Sequence, residues 1–351
     1  MKQHREGDRR WWAHSMPACG PTSQAIRGYE MRSSVRVRGM TRDTGEKDMI
    51  LIGWQGISVR VPEDWTLAAV GGDRKSGYVR VDEESRPRFQ VKWSQGHTDL
   101  TKRRDDYVKR LTLGRRKRPT GIEVDTEARF ISQRSKPKKE LVTLAWRGNE
   151  CGMGLFWNCE VCNRALMAQV SWRPQEELHG IAREALASLD DHGVGGWEAW
   201  GVDGLAFLAP EDYELTKWKR LTRYLELSLQ RGVERLKVAR WGMVSLVLRG
   251  GTLPEWFARE QGARREVSWS VREAETKGHP GLSAEGRPRL AAIGLRRAAA
   301  RAVRLGPALE FASRVWHCPP SNRMLMVESL HKQGSQVLDG VVDSIPCHEG
   351  A

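Results

Sequence analysis

Ile57-Ser58-Val59-Arg60-Val61-Pro62-Glu63-Asp64-Trp65-Thr66-Leu67 returns 148 positions later as Leu205-Ala206-Phe207-Leu208-Ala209-Pro210-Glu211-Asp212-Tyr213-Glu214-Leu215. Each stretch runs into Pro-Glu-Asp, then an aromatic residue, one variable position and Leu. Ile57, Val59 and Val61 point one way and Ser58 and Arg60 the other, which predicts a half-buried strand closed by a turn at Pro62-Glu63-Asp64-Trp65.

Two more alternating runs follow, Tyr78 to Asp82 and Phe89 to Trp93, so the reading is a three-stranded antiparallel meander beginning at Ile57. Tyr224 to Leu229 and Val233 to Trp241 replay its second and third strands, and in both copies 31 residues separate the proline (Pro62, Pro210) from the closing tryptophan (Trp93, Trp241). Two later anchors keep the same order. Trp157-Asn158-Cys159-Glu160-Val161-Cys162-Asn163-Arg164 is echoed by Trp316-His317-Cys318-Pro319-Pro320-Ser321-Asn322-Arg323, each before an apolar strand (Ala165 to Val170, Met324 to Val327). Leu186-Ala187-Ser188-Leu189 with His192 is matched by Val342-Asp343-Ser344-Ile345 with His348. Four collinear matches predict an internal repeat, with about ten residues inserted in the second copy.

Between the strand block and the cysteine anchor each copy carries a predicted helix. Asp99 to Lys117 puts Leu100, Tyr107 and Leu111 on one face, and Leu253 to Arg265 does the same with Trp256 and Phe257. A closing helix over Gln175 to Leu189 is amphipathic through Leu178, Ile181, Ala182, Ala185 and Leu186. The expected fold is therefore α+β: two tandem antiparallel-sheet domains flanked by helices, over 49–196 and 197–351. Residues 1–48 hold ten Lys/Arg, six Asp/Glu and no sustained apolar period, so they read as a disordered basic extension.

Val61-Pro62-Glu63-Asp64-Trp65 with Leu186 to Leu189, and Ala209 to Tyr213 with Val342 to Ile345, resemble the ends of the fold shared by the photosystem II extrinsic protein PsbP and a small Ran-binding nuclear import factor. That resemblance implies a PsbP-like sandwich acting as a non-catalytic binding scaffold. It transfers no functional residue, since members of such a fold bind other macromolecules by different surfaces.

Composition sets the outer bounds. Hydrophobic residues make up 39% of the 351, and 15 Trp supply large core anchors. Six cysteines are too few for a disulfide scaffold and no signal sequence opens the chain, so a reducing, cytoplasmic setting is expected. No apolar run is long enough to span a bilayer, which argues against a membrane protein. A net charge of +14 favours acidic partners, although arginine-rich coding in a GC-rich genome accounts for part of it.

Candidate chemistry is sparse. Cys159 and Cys162, with Cys151 eight positions earlier, are weak candidates for a zinc site or a redox dithiol. The reading favours small buried cysteines and no metal or cofactor, because copy two keeps Cys318 but places Ser321 where Cys162 would be. Arg164 and Arg323 follow a retained asparagine and can either grip a carboxylate or phosphate, or brace the turn through Asp64 or Asp212; the bracing role is favoured. Positive charge gathers over 99–139, at +8, and 264–304, at +6, where Arg297, Arg301 and Arg304 share a predicted helix face. Both stretches read mainly as solvated surface, since Tyr107, Phe130 and Trp269 are their only aromatics. Gly71-Gly72-Asp73-Arg74-Lys75-Ser76-Gly77 lacks phosphate-loop spacing and reads as a turn. His192 and His348 read as helix-end histidines. The leading expectation is a non-enzymatic interaction protein with a protein partner. The alternatives are a nucleic-acid-associated protein using the basic stretches, and an enzyme with its site between the copies.

Overall fold

The computed structural model describes residues 48–113, 119–262, 267–288, 309–346 and 348. They form two compact units: residues 48–50 and 60–191 in the first, 51–59 and 192 onward in the second. The extension over 1–47 and the helix face of Arg297, Arg301 and Arg304 lie outside the described residues.

The first described hairpin joins β1 (Met49–Trp54) and β2 (Ile57–Pro62). Its two-residue turn, Gln55-Gly56, has φ of 54° and 87°. Two left-handed residues in succession match the twist of the flanking strands, and the absent Cβ makes glycine the cheapest occupant of the second position.

In the first unit β3 (Trp65–Gly72), β4 (Ser76–Glu83) and β5 (Arg86–Gln95) make one antiparallel meander. β6 (Glu123–Asp125), β7 (Lys139–Arg147), β8 (Cys151–Cys159) and β9 (Arg164–Trp172) make another. β5 pairs with β9, giving a seven-stranded sheet in the order β3-β4-β5-β9-β8-β7-β6.

The expected meander is thus displaced by one strand. Residues 57–61 are a strand, but β2 belongs to another sheet, and the meander's first member is β3. A bulge hides β3 from a period-two reading: its register against β4 steps from Leu67 to Ala69, which leaves Ala69 and Val70 both buried.

α1 (Leu100–Thr112) bridges the two meanders. Asp99 caps it by accepting from the Lys102 N–H at 2.8 Å. Tyr107, Val108 and Leu111 pack on Leu144, Trp146, Phe156 and Met167, with the Tyr107 ring 6.0 Å from Trp146 and 5.9 Å from Phe156. α2 (His179–Ser188) closes the unit and buries Ala182, Ala185 and Leu186.

In the second unit β10 (Trp197–Val202) and β11 (Leu205–Pro210) turn at Asp203-Gly204, with φ of 45° and 75°. Gly53 faces Gly201, completing a four-stranded sheet ordered β11-β10-β1-β2. Next come β12 (Glu214–Leu221), β13 (Tyr224–Arg231) and β14 (Glu234–Gly242), then the short α3 (Val244–Leu248) and α4 (Leu253–Gly262). The hairpin β15 (Val267–Thr276) and β16 (His279–Pro288) follows, then β17 (Leu309–Cys318), β18 (Arg323–Lys332) and α5 (Val337–Ser344).

Their seven-stranded sheet runs β12-β13-β14-β18-β17-β16-β15, the order of the first unit's sheet, and β12 carries its bulge between Leu215 and Lys217. Its core gathers Trp241, Trp256, Phe257, Leu282, Val315 and Met326, with Trp241 edge-on to Trp256 at 4.9 Å.

The serine of each closing helix has a defined task. Ser188 Oγ accepts from the Arg60 N–H at 2.8 Å, and Ser344 Oγ accepts from the Leu208 N–H at 2.8 Å. Each hydroxyl also donates back to its own helix, to the carbonyls of Ala185 and Val341. Ser188→Ala or Ser344→Ala leaves a strand N–H without this acceptor and is expected to cost about 1–3 kcal/mol in a urea titration. A loss under 0.5 kcal/mol in both, roughly the scatter of surface changes, would remove the latch role.

Candidate functional site

The Asn-Arg pairs close equivalent hairpins. Cys318 pairs with Arg323 across the β17–β18 turn, and the β8–β9 turn lies between Cys159 and Arg164. Asn163 and Asn322 have φ of 51° and 48°, the left-handed region that asparagine tolerates better than most residues. The retained asparagine is explained by this backbone geometry. The two arginines then part company. Arg164 is buried and donates to the Asp191 carbonyl at 2.8 Å. Arg323 is half-buried and donates to the Gly204 carbonyl at 3.0 Å, while Asp212 pairs with Arg231 at 2.8 Å.

Arg323 lines an open cavity of about 700 Å³ together with Arg223, Arg240, Thr222, Ser321 and Asn322, and no carboxylate is among the described residues that line it. The Asp203-Gly204 turn positions two of these cations, since the Asp203 carbonyl accepts from Arg240 and the Gly204 carbonyl from Arg323. Asp203 spends its carboxylate on Arg220, at 2.6 and 2.9 Å. Burial, and then the charge of Arg323, hold Arg240 below its ordinary pKa, and its Nε is buried without a hydrogen-bond partner. Three guanidiniums thus line one opening, the donor chemistry that suits an oxyanion. Arg223 and Arg240 were missed in the sequence because they stand in ordinary strand and turn context.

The first unit carries a different cluster. Lys136 and Lys139 are 4% exposed, which corrects the reading of 136–139 as solvated surface at these two positions, while Pro137 and Lys138 are exposed. Lys139 Nζ pairs with Asp190 at 2.5 Å and with Asp191, and sits 4.2 Å from the centre of the Trp157 ring. Lys136 Nζ reaches the Leu189 carbonyl at 2.7 Å and Asp190 at 3.4 Å. Trp157 Nε1 donates to Asp191 at 2.8 Å. Burial alone pulls Lys139 down, but the carboxylates of Asp191 and Asp190 outweigh it and raise its pKa. Burial likewise pushes Asp190 up, and Lys139 with Lys136 bring it below its usual value. This basic segment thus offers a phosphate backbone fewer cations than its composition suggests. Residues 114–118 and all of 289–304 lie outside the described residues.

Sulfur and imidazole ligand atoms gather at the cysteine anchors. Cys159, Cys162 and Asp191, with His192 next along the chain, form a group whose ligand atoms all lie within 4.8 Å of one another. His279, Cys318 and His348 form a second such group. There Cys318 Sγ is 3.3 Å and His279 Nε2 3.2 Å from His348 Nδ1. His192 and His348, read in the sequence as helix-end histidines, each stand beside a cysteine here, and His279 joins the second group from the far side of the β15–β16 turn. The Cys162 thiol is pushed up by a hydrogen bond with Cys159, by burial and by Asp191.

Asp73 Oδ1 accepts from the N–H groups of Lys75 and Ser76 at 2.7 and 2.9 Å. The glycine-rich 71–77 segment is a turn whose donors serve its own aspartate. Among the described residues no helix is long and apolar enough to cross a membrane. No protein-family model and no curated protein matches the chain.

Proposed function

We propose that the chain is a non-enzymatic binding protein built from one PsbP-like α+β domain repeated in tandem, whose second unit takes up an acidic group of a protein partner. Four correspondences support the duplication: the shared strand order, the paired bulges, the paired serine latches and the left-handed turns at matching positions. The arginine cavity carries the binding reading. A carboxylate entering it gains donors from Arg223, Arg240 and Arg323 and relieves the repulsion between Arg240 and Arg323. A nucleic-acid partner is the second reading, favoured by the net charge of +14.

Calorimetric titration of the full chain with a glutamate-rich peptide tests the first reading. Binding is expected, and Arg223→Ala or Arg323→Ala should weaken it about 10- to 100-fold, the worth of a hydrogen bond to a charged group. Unaltered binding by both variants removes the cavity from the reading. Retention of an oligonucleotide that falls steeply with salt, with no peptide binding, moves the assignment to nucleic acid.

A further inference from the structure

We propose that the second unit binds a zinc-type divalent cation through His279 Nε2, Cys318 Sγ and His348 Nδ1, and that Cys159, Cys162 and His192 form the counterpart built on the first unit's cysteine hairpin. This is independent of the arginine cavity.

The spacing suits a metal. Zinc bonds of about 2.0–2.1 Å to nitrogen and about 2.3 Å to sulfur give tetrahedral edges of about 3.3 Å between nitrogens and about 3.6 Å between nitrogen and sulfur. The observed separations are 3.2 Å from His348 Nδ1 to His279 Nε2 and 3.3 Å to Cys318 Sγ. A neutral imidazole nitrogen carries either one proton or one lone pair. The two imidazole nitrogens and the sulfur each have a lone pair that a cation among the three can engage. His279 and Cys318 are buried and His348 is partly exposed, so the ligands stand on a protein wall with one side toward solvent. Three protein ligands with an open fourth position describe a reactive or exchangeable site as well as a structural one.

The substitution at Ser321 is then compensated. Cys318 stands where Cys159 does and His348 where His192 does, and His279 supplies the third donor from another hairpin. In the first group Asp191 is committed, with one oxygen held by Lys139 and the other by Trp157 Nε1. It acts as a fixed negative charge beside two sulfurs and one imidazole. Two thiolates neutralise a divalent ion and one does not, so the first site is the tighter for a thiophilic metal. Metal entry displaces the thiol protons to solvent, two at the first site and one at the second.

The full chain, equilibrated with Zn²⁺ and dialysed, should retain one ion per unit by elemental analysis, and a chelator should strip the second unit first. Co²⁺ in place of Zn²⁺ should give thiolate-to-cobalt charge-transfer absorption. His348→Gln and Cys318→Ser should each remove one ion and leave the other, and Cys162→Ser should remove the complementary one. His348 is partly exposed, so near-ultraviolet circular dichroism of His348→Gln serves as the folding control if Cys318→Ser does not fold. A folded wild-type chain that retains no zinc and shows no cobalt charge transfer overturns the proposal. So does a folded His348→Gln chain that keeps both ions.

Discussion

Lys139→Met is expected to destabilise the first unit by about 3–5 kcal/mol, the usual cost of removing one member of a buried ion pair. The loss arises mainly in what remains. Asp191 is fully buried and loses the Lys139 cation on Oδ1, and Asp190 loses the nearer of its two lysines, with Lys136 left at 3.4 Å. The Trp157 ring also loses a cation at 4.2 Å. Urea unfolding followed by tryptophan fluorescence reads the change, and a loss below 1 kcal/mol would mean that the network is solvated. Its pH dependence has a fixed sign. Asp190 is lowered in the folded state, so its contribution is present above the unfolded aspartate value of about 3.9 and is lost as pH falls below it. Lys139 is raised, so its contribution is full below the unfolded lysine value of about 10.4 and is lost as pH rises through the folded value. The wild-type chain should therefore show a plateau between about pH 5 and 9 with a fall on either side, and both falls should be shallower in Lys139→Met.

Trp93→Ala is expected to cost a further class of stability, about 3–5 kcal/mol, through the cavity it opens. Trp93 is 1% exposed, and its Nε1 donates to the Asp73 carbonyl at 2.9 Å. Its ring lies on Gly77, where an added Cβ would come within 2.3 Å of Cζ2. Trp93→Phe keeps most of the packing and should lose roughly half as much. Equal losses in the two variants, measured as urea midpoints at constant slope, would assign the effect to the hydrogen bond instead of the ring.

The parts of this architecture that obey a simple period were legible. Alternation at Tyr78 to Asp82 and Phe89 to Trp93 marked β4 and β5, and the i, i+3, i+4 spacing around Tyr107 and Leu111 marked α1. β3 was not legible, because a bulge at Ala68 breaks the alternation that signals a strand. Asp203-Gly204 is a strong two-residue hairpin signal, and reading it as such would have separated β10–β11 from the following meander.

The site was harder to read for a different reason. Cys159 and Cys162 are neighbours in sequence, but His279 and His348 meet only because β16 pairs with β17 and the tail after α5 returns to the end of that strand. Lysines 136 and 139 misled in the opposite direction. A Lys-Pro-Lys-Lys run has the composition of a solvated surface, and only the return of Asp190-Asp191 past the start of β7 makes two of its charges internal.

The serine latches also bear on vectorial synthesis. Arg60 waits for Ser188 and Leu208 for Ser344, separations of 128 and 136 residues, so an early strand of each unit is tied down by that unit's last helix. Closure of such long loops is entropically late, which slows folding relative to local pairing. A ribosome-bound chain can thus hold its meanders as hairpins well before either unit seals. The first latch can close once residue 188 has cleared the exit tunnel, while β10 to β18 are still being made.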